Sequence, residues 1–259
     1  MSVSGVLRGS AAEDQARAAF VQQYPEFERT GRIDALRASD YSRLDALGQI
    51  YLDYTGGSLY GESQVREHAG LLSRHVFSNP HSTNLTSAAT TDLVERARRA
   101  VLQYFNAPLG EYVAVFTLNA TGALKHVGES YAFAPGGRYV LTADNHNSVN
   151  GIREFAQSKD AAVEYAPLTT PDLRIDVARL NALLDAADRT KANLFAFPAQ
   201  SNFSGVKHPL DLIARAHAKG WDVLLDAAAF VPTNRLDLSA VRPDFVSVSF
   251  YKMRSRRHD

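Results

Sequence analysis

The chain has 259 residues, no cysteine, and a formal net charge of zero. Disulfides, thiolate metal sites and a cysteine nucleophile are therefore excluded within it. Charge balance also argues against a general binder of nucleic acid or of membrane surfaces, which needs a basic footprint. Residues 1–10 lack the sustained apolar core of a secretory signal, and no segment approaches the roughly 20 apolar residues that cross a bilayer. A cytoplasmic protein is expected.

Residues 11–50 read as charged and helical, an N-terminal arm with Ala, Glu, Arg and Leu recurring on one face. A second region, residues 51–253, opens with Gly56-Gly57 and Asn79-Pro80. It continues with an amphipathic stretch from Leu85 to Asn106, where Leu93, Val94, Ala97, Val101, Leu102 and Phe105 fall at helical spacing. Short apolar runs then alternate with helical patterns. Strands are predicted at Tyr112–Thr117, Tyr139–Thr142, Ala162–Tyr165, Leu194–Phe197, Val223–Leu225 and Phe245–Phe250. Helices are predicted at Ala120–Phe133, Ser148–Ser158, Val177–Ala187 and Leu210–Lys219, the last stopped by Gly220. Such alternation predicts an α/β fold, a mostly parallel sheet sandwiched by helices. The last residues, 254–259, form a short basic tail.

Chemistry concentrates at predicted strand ends, where open α/β sheets bind ligands. Lys252 ends the run Asp244-Phe-Val-Ser-Val-Ser-Phe-Tyr-Lys252, and Asp226 ends Trp221-Asp-Val-Leu-Leu-Asp226. A lysine that forms a Schiff base with an aldehyde, and an aspartate that keeps a pyridine nitrogen protonated, are what a pyridoxal phosphate enzyme requires. Alone, either residue reads more simply as a surface lysine or a turn aspartate. The segment Phe116-Thr-Leu-Asn-Ala-Thr-Gly-Ala-Leu124 leaves a strand and opens a helix, so its free N–H groups suit a phosphate; Asn119 or Thr121 could equally be a plain cap. His146, in Asp144-Asn-His-Asn-Ser-Val149, could stack on an aromatic ring or simply cap a helix. Asn202, in Phe197-Pro-Ala-Gln-Ser-Asn-Phe-Ser-Gly205, offers an amide to a phenolic oxygen or serves as a turn residue. Ser249 and Tyr251 could give hydroxyls to a phosphate, or merely alternate along a strand. No G-x-G-x-x-G, P-loop, H-E-x-x-H or G-x-S-x-G pattern is present. His68, His75 and His81 lie near one another without metal-ligand spacing, so no metal site is expected.

The ordered strings Tyr51-Leu-Asp-Tyr, Ser78-Asn-Pro-His-Ser82, Phe116-Thr-Leu-Asn-Ala-Thr, Asp144-Asn-His-Asn-Ser-Val, Gln200-Ser-Asn-Phe-Ser-Gly205, Leu225-Asp-Ala-Ala-Ala and Ser247-Val-Ser-Phe-Tyr-Lys252 together resemble the class V aminotransferase family of fold-type I pyridoxal phosphate enzymes. Within it the similarity is strongest to molybdenum cofactor sulfurases and other cysteine-desulfurase-like proteins. The resemblance implies that Lys252 is the Schiff-base lysine, Asp226 the pyridinium partner and His146 the ring-stacking histidine, these three being catalytic. It implies that Asn202 bonds the ring hydroxyl oxygen, that Ala120 and Thr121 form the phosphate turn, and that Ser249 and Tyr251 add phosphate contacts. It further implies a homodimer and an amino acid substrate, L-cysteine first. Other class V activities (aminotransferase, epimerase, selenocysteine-lyase-like) and a non-catalytic fragment are the alternatives.

Two departures stand inside the matching region. Ala229 replaces a glutamine of cysteine desulfurases, and Gly122 replaces a more usual alanine. After Met253 the family pattern gives way to Arg254-Ser-Arg-Arg-His-Asp259, so the chain reads as the large domain without the small C-terminal one. In the family that small domain supplies the substrate-carboxylate arginine and the sulfur-accepting cysteine.

Overall fold

The computed structural model describes residues 10–253; residues 1–9 and the basic run 254–259 lie outside the described residues. Two compact units divide the chain, one of residues up to 52 with Tyr60–Leu71, the other of Asp53–Leu59 with the residues from 72 onward.

The first unit is helical. Helices α1 (Ala11–Gln23), α2 (Gly31–Asp40) and α3 (Ser42–Ala46) follow one another, with a 3₁₀ turn at Pro25–Thr30, and α4 (Glu62–Arg74) begins here. Ser10 caps α1 in a reciprocal capping box with Glu13, which satisfies two N–H groups that the first turn leaves unpaired. Phe20 packs on Tyr24 and Phe27, ring centroids 5.0 and 5.1 Å apart. Asp40 accepts from the Ser63 N–H and hydroxyl at 2.8 and 2.7 Å and so anchors the start of α4.

In the second unit, α5 (Leu85–Tyr104) and α6 (Ala120–Ser130) precede a five-stranded parallel sheet. Its strands are β1 (Arg138–Thr142), β2 (Ala162–Ala166), β5 (Asn193–Pro198), β6 (Asp222–Asp226) and β7 (Phe245–Ser247), in the order β2-β1-β5-β6-β7. A small antiparallel pair, β3 (Leu168–Thr169) and β4 (Arg174–Ile175), lies apart from it. Helices α7 (Asn147–Asn150), α8 (Ile152–Ser158), α9 (Val177–Asp185) and α10 (Leu212–His217) fill the crossovers.

Strand periodicity sorts the core. Side chains alternate across a strand, and a parallel sheet covered on both faces needs apolar residues on both. Val140, Phe195, Phe197, Val223 and Leu225 point to one face, where Leu180, Leu183, Leu184, Leu212, Ile213 and Trp221 meet them. Tyr139, Leu141, Leu194, Ala196 and Leu224 point to the other, against Leu124, Val149, Ile152 and Ala156. Two buried polar tips are satisfied within this packing: the Trp221 indole donates to Leu184 O at 2.9 Å, and the Tyr139 hydroxyl to Val149 O at 2.9 Å.

The structure corrects two expectations. Tyr112–Thr117 is not a strand. No main-chain ladder forms along it; instead the Tyr112 hydroxyl donates to Pro243 O at 2.7 Å, and Arg98 donates to Ala114 O. An apolar run becomes a strand only where another edge can pair with it. The predicted strand Phe245–Phe250 stops at Ser247, because its partner β6 stops at Asp226, opposite Ser247. Lys252 therefore stands in a 3₁₀ turn, Phe250–Lys252, rather than on the strand.

Candidate active site

The strand order reverses between β1 and β5: the chain leaves β1 to one side for β2, then returns to β1's other edge. At such a switch point the loops leaving the strand ends part and open a crevice. A cavity of about 280 Å³ lies there, and all eight predicted site residues line it: Ala120, Thr121, His146, Asn202, Asp226, Ser249, Tyr251 and Lys252.

Each wall has a local cause. At the α6 end, Asn119 adopts an extended backbone and its side chain accepts from the Gly122 N–H at 2.8 Å. Ala123 N–H bonds Asn119 O at 3.1 Å. That leaves the Ala120 and Thr121 N–H groups, with the positive end of the helix dipole, for an anion. His146 caps α7, its Nδ1 accepting from the Ser148 N–H at 3.2 Å. The Ser148 hydroxyl reaches His146 Nδ1 at 3.0 Å and the Thr121 hydroxyl at 2.7 Å, tying the β1 loop to the start of α6. His146 is thus both a cap and a pocket wall.

Lys252 and Asp226 are each only 8% exposed. The Lys252 ammonium donates to Asn202 Oδ1 at 2.8 Å. Its backbone carbonyl accepts from the Ser58 hydroxyl at 2.6 Å, and Ser58 N–H bonds Tyr251 O at 2.9 Å, which fixes the turn that carries the amine. Asp226 accepts from the Ala228 N–H at 3.0 Å. Burial pushes its carboxyl above the ordinary range, against the opposing pull of that N–H and of the His146 and Lys252 charges. A buried acid and a buried amine therefore face one small polar cavity.

Ser148 and Gln200 also line the cavity and were not singled out in the sequence. Ser148 had a readable signal, a hydroxyl two residues after a candidate capping histidine. Ala228 and Ala229 line it too, so where desulfurases carry a glutamine this cavity has a methyl group.

A parallel sheet wrapped by helices, with a lysine, an aspartate and a helix N-terminus around the switch-point crevice, defines the fold-type I class. Residues 50–255 match the family model described as aminotransferase class V, and the chain belongs to that family. It is 38% identical over 238 residues to a molybdenum cofactor sulfurase of Homo sapiens, an alignment covering 86% of this chain and 26% of that protein. Against the molybdenum cofactor sulfurase of Arabidopsis thaliana it is 37% identical over 262 residues, covering 89% of this chain and 32% of that one. The chain thus spans about a quarter to a third of the length of these curated relatives. Among solved structures, a cysteine desulfurase of Escherichia coli superposes with a TM-score of 0.69 at 27% identity, covering 85% of this chain and 54% of that one. A cysteine desulfurase of Thermococcus onnurineus gives 0.71 at 23% identity, covering 84% and 53%. The class V aminotransferase and cysteine desulfurase families are pyridoxal phosphate-dependent.

Proposed function

We propose that this chain carries the pyridoxal phosphate site of a molybdenum cofactor sulfurase-like enzyme that acts on an amino acid, with L-cysteine as first candidate. The observation that supports it is one polar cavity that gathers the buried Lys252 and Asp226 with His146 and the open end of α6. The residues suit the group. A buried amine can join an aldehyde, a buried carboxylate can hold a ring N–H, and free helix N–H groups can hold a phosphate. When bound, pyridoxal phosphate supplies an electron sink for charge developing at a substrate α-carbon.

The chain's own groups do the rest. Lys252 Nζ would hold the cofactor through a carbon–nitrogen bond and, once displaced from it by the substrate amine, would be the free base able to move a proton at the substrate α-carbon. Asp226 would be the group to keep a proton on the ring nitrogen; burial pushes its carboxyl up, and the charges of His146 and Lys252 pull in the other direction, toward the ionised form. Asn202 sets the direction of the Lys252 amine through its carbonyl and offers its amide N–H groups to the ring oxygen. His146, in the cavity wall, would cover the ring face. Ala120, Thr121, Ser249 and Tyr251 would hold the phosphate. Transfer of substrate sulfur to a protein thiolate requires a cysteine from outside these 259 residues, since they contain none. The reading carries the homodimer and the cytoplasmic setting with it.

Borohydride trapping tests the proposal. The protein incubated with pyridoxal phosphate, reduced and mapped by peptide mass, should carry the cofactor on Lys252, and Lys252→Ala should show neither the adduct nor the visible absorption band. An adduct spread over surface lysines, unchanged in Lys252→Ala, would sink the assignment. With the adduct established, release of alanine from L-cysteine on addition of a thiol acceptor separates sulfurase chemistry from transamination.

A further inference from the structure

Behind the cavity wall lies a buried hydrogen-bonded histidine–aspartate pair that does not line the pocket. His208 Nε2 and Asp144 Oδ2 are 2.7 Å apart, and each side chain is 1% exposed. Burial pushes the Asp144 carboxyl up, but the His208 hydrogen bond and charge, with Thr142, outweigh it and hold the group below its usual range. Resting on the cofactor reading above, we propose that Asp144 and His208 are a positioning pair that sets the two loops carrying His146 and Asn202.

Connectivity supplies the argument. Asp144 leaves β1 two residues before His146. Asn145, between them, is fixed by side-chain N–H bonds to Thr142 O and Ala196 O at 3.0 and 3.1 Å. The loop bearing Asn202 leaves β5 and turns back at Gly205, where Ser201 N–H bonds Val206 O at 2.9 Å and Gly205 N–H bonds Ser201 O at 3.0 Å. His208 closes that loop. Its backbone N–H donates to Ala199 O at 3.0 Å, and Ala199 N–H donates to Asp226 O at 2.8 Å. The Ser201 hydroxyl adds a longer bond to Asp144 O at 3.4 Å. His208 therefore reaches the end of β1 through its side chain, the end of β5 through its main chain, and β6 at Asp226 by way of Ala199. Three of the strand ends that carry predicted cofactor ligands are held in register at this point. A buried pair of this kind gives geometric definition, while breaking one partner leaves a charge uncompensated in the interior.

The test compares four proteins: wild type, His208→Ala, the paired variant Asp144→Asn/His208→Gln, and Leu180→Ala, a core control in α9 on residues that do not line the cavity. Two readouts are taken: backbone hydrogen exchange of the cofactor-free protein by mass spectrometry, and pyridoxal phosphate affinity with the visible circular dichroism of the bound cofactor. Expected for His208→Ala is faster exchange at residues 143–148 and 199–207 together, an affinity lower by roughly tenfold, and weaker dichroism per bound cofactor. The amide pair, which keeps a hydrogen bond without the charges, restores all three. Leu180→Ala, although destabilised, leaves both loops and the affinity near wild type. Unchanged exchange in the two loops of His208→Ala, or an equal loosening of them in Leu180→Ala, overturns the proposal. If wild type takes up no cofactor, the reading under Proposed function fails by itself, and the exchange data still decide the positioning role.

Discussion

Asp226 shows what the site costs the fold. Its carboxyl is held above the ordinary range chiefly by burial. An acid raised in this way favours the folded state only while protonated. No penalty exists below the pKa of the unfolded chain; it grows as pH rises between the unfolded and folded values and is full above the folded one. Asp226→Asn, which keeps an acceptor for the Ala228 N–H, should therefore raise the melting temperature of the cofactor-free protein at neutral pH. At acid pH, where Asp226 is protonated, the two proteins should melt alike. Thermal melts across pH check this, and equal melting at pH 7 would count against it. The gain comes with loss of the group proposed to hold the ring proton, the usual opposition of stability and activity at a buried functional acid.

Among the elements, close approach has left its mark on the glycines. A Cβ on Gly137, just before β1, would lie 2.6 Å from Ala192 O and 3.1 Å from Ala134 O, both main-chain atoms that cannot swing aside. Gly137→Ala should destabilise by roughly 1–3 kcal/mol, because the entry of β1 would have to move away from that of β5; urea unfolding measures it, and a loss within error of zero refutes the clash. The same elements show what could be read without coordinates. The strands β1, β2, β5 and β6 stand where apolar runs bounded by turn residues put them, within a residue at each end, and their alternation assigns both faces. Helices shortened by a turn, such as α10 at Leu212–His217 against an expected Leu210–Lys219, reflect caps that periodicity cannot date to the residue. Tyr112–Thr117 and the end of β7 were misread for one physical reason: pairing depends on a second edge, which local sequence does not carry. The β3–β4 pair is too short to give a period, whereas α4, with Val65, Ala69 and Leu72 at helical spacing, carried a readable signal. The grouping of the proposed site residues was legible, because His146, Asn202, Asp226, Ser249, Tyr251 and Lys252 sit at or beyond strand ends and line one cavity. The Asp144–His208 pair was not, since neither residue's environment follows from its neighbours in sequence.

At the scale of the molecule, the β7 edge of the sheet carries exposed apolar surface. A largely apolar cavity of about 610 Å³ lies there, lined by Val113, Val115, Phe116, Leu224, Val246 and Phe250 among others. Val113 and Val115 are 83% and 66% exposed. Exposed apolar surface beside an unpaired strand edge invites association. The protein should bind a fluorescent apolar dye in its native state, and Val113→Lys/Val115→Lys should reduce both dye fluorescence and self-association in sedimentation without lowering the melting temperature. Dye binding unchanged by the double substitution would place the exposed surface elsewhere.

The strand order has a kinetic consequence as well. β1 pairs with β2 on one side after a short helical crossover, but its other edge waits for β5, with Arg138 opposite Asn193. Closing that long loop must precede most of the reward from burying Phe195 and Phe197, so this step should limit the folding rate. In stopped-flow refolding, Phe195→Ala should slow folding more than it speeds unfolding, whereas Val163→Ala on β2 should leave the folding limb nearly unchanged. Until β5 arrives, β1 presents a bare edge to the solution, and the yield of native protein should fall as the refolding concentration rises.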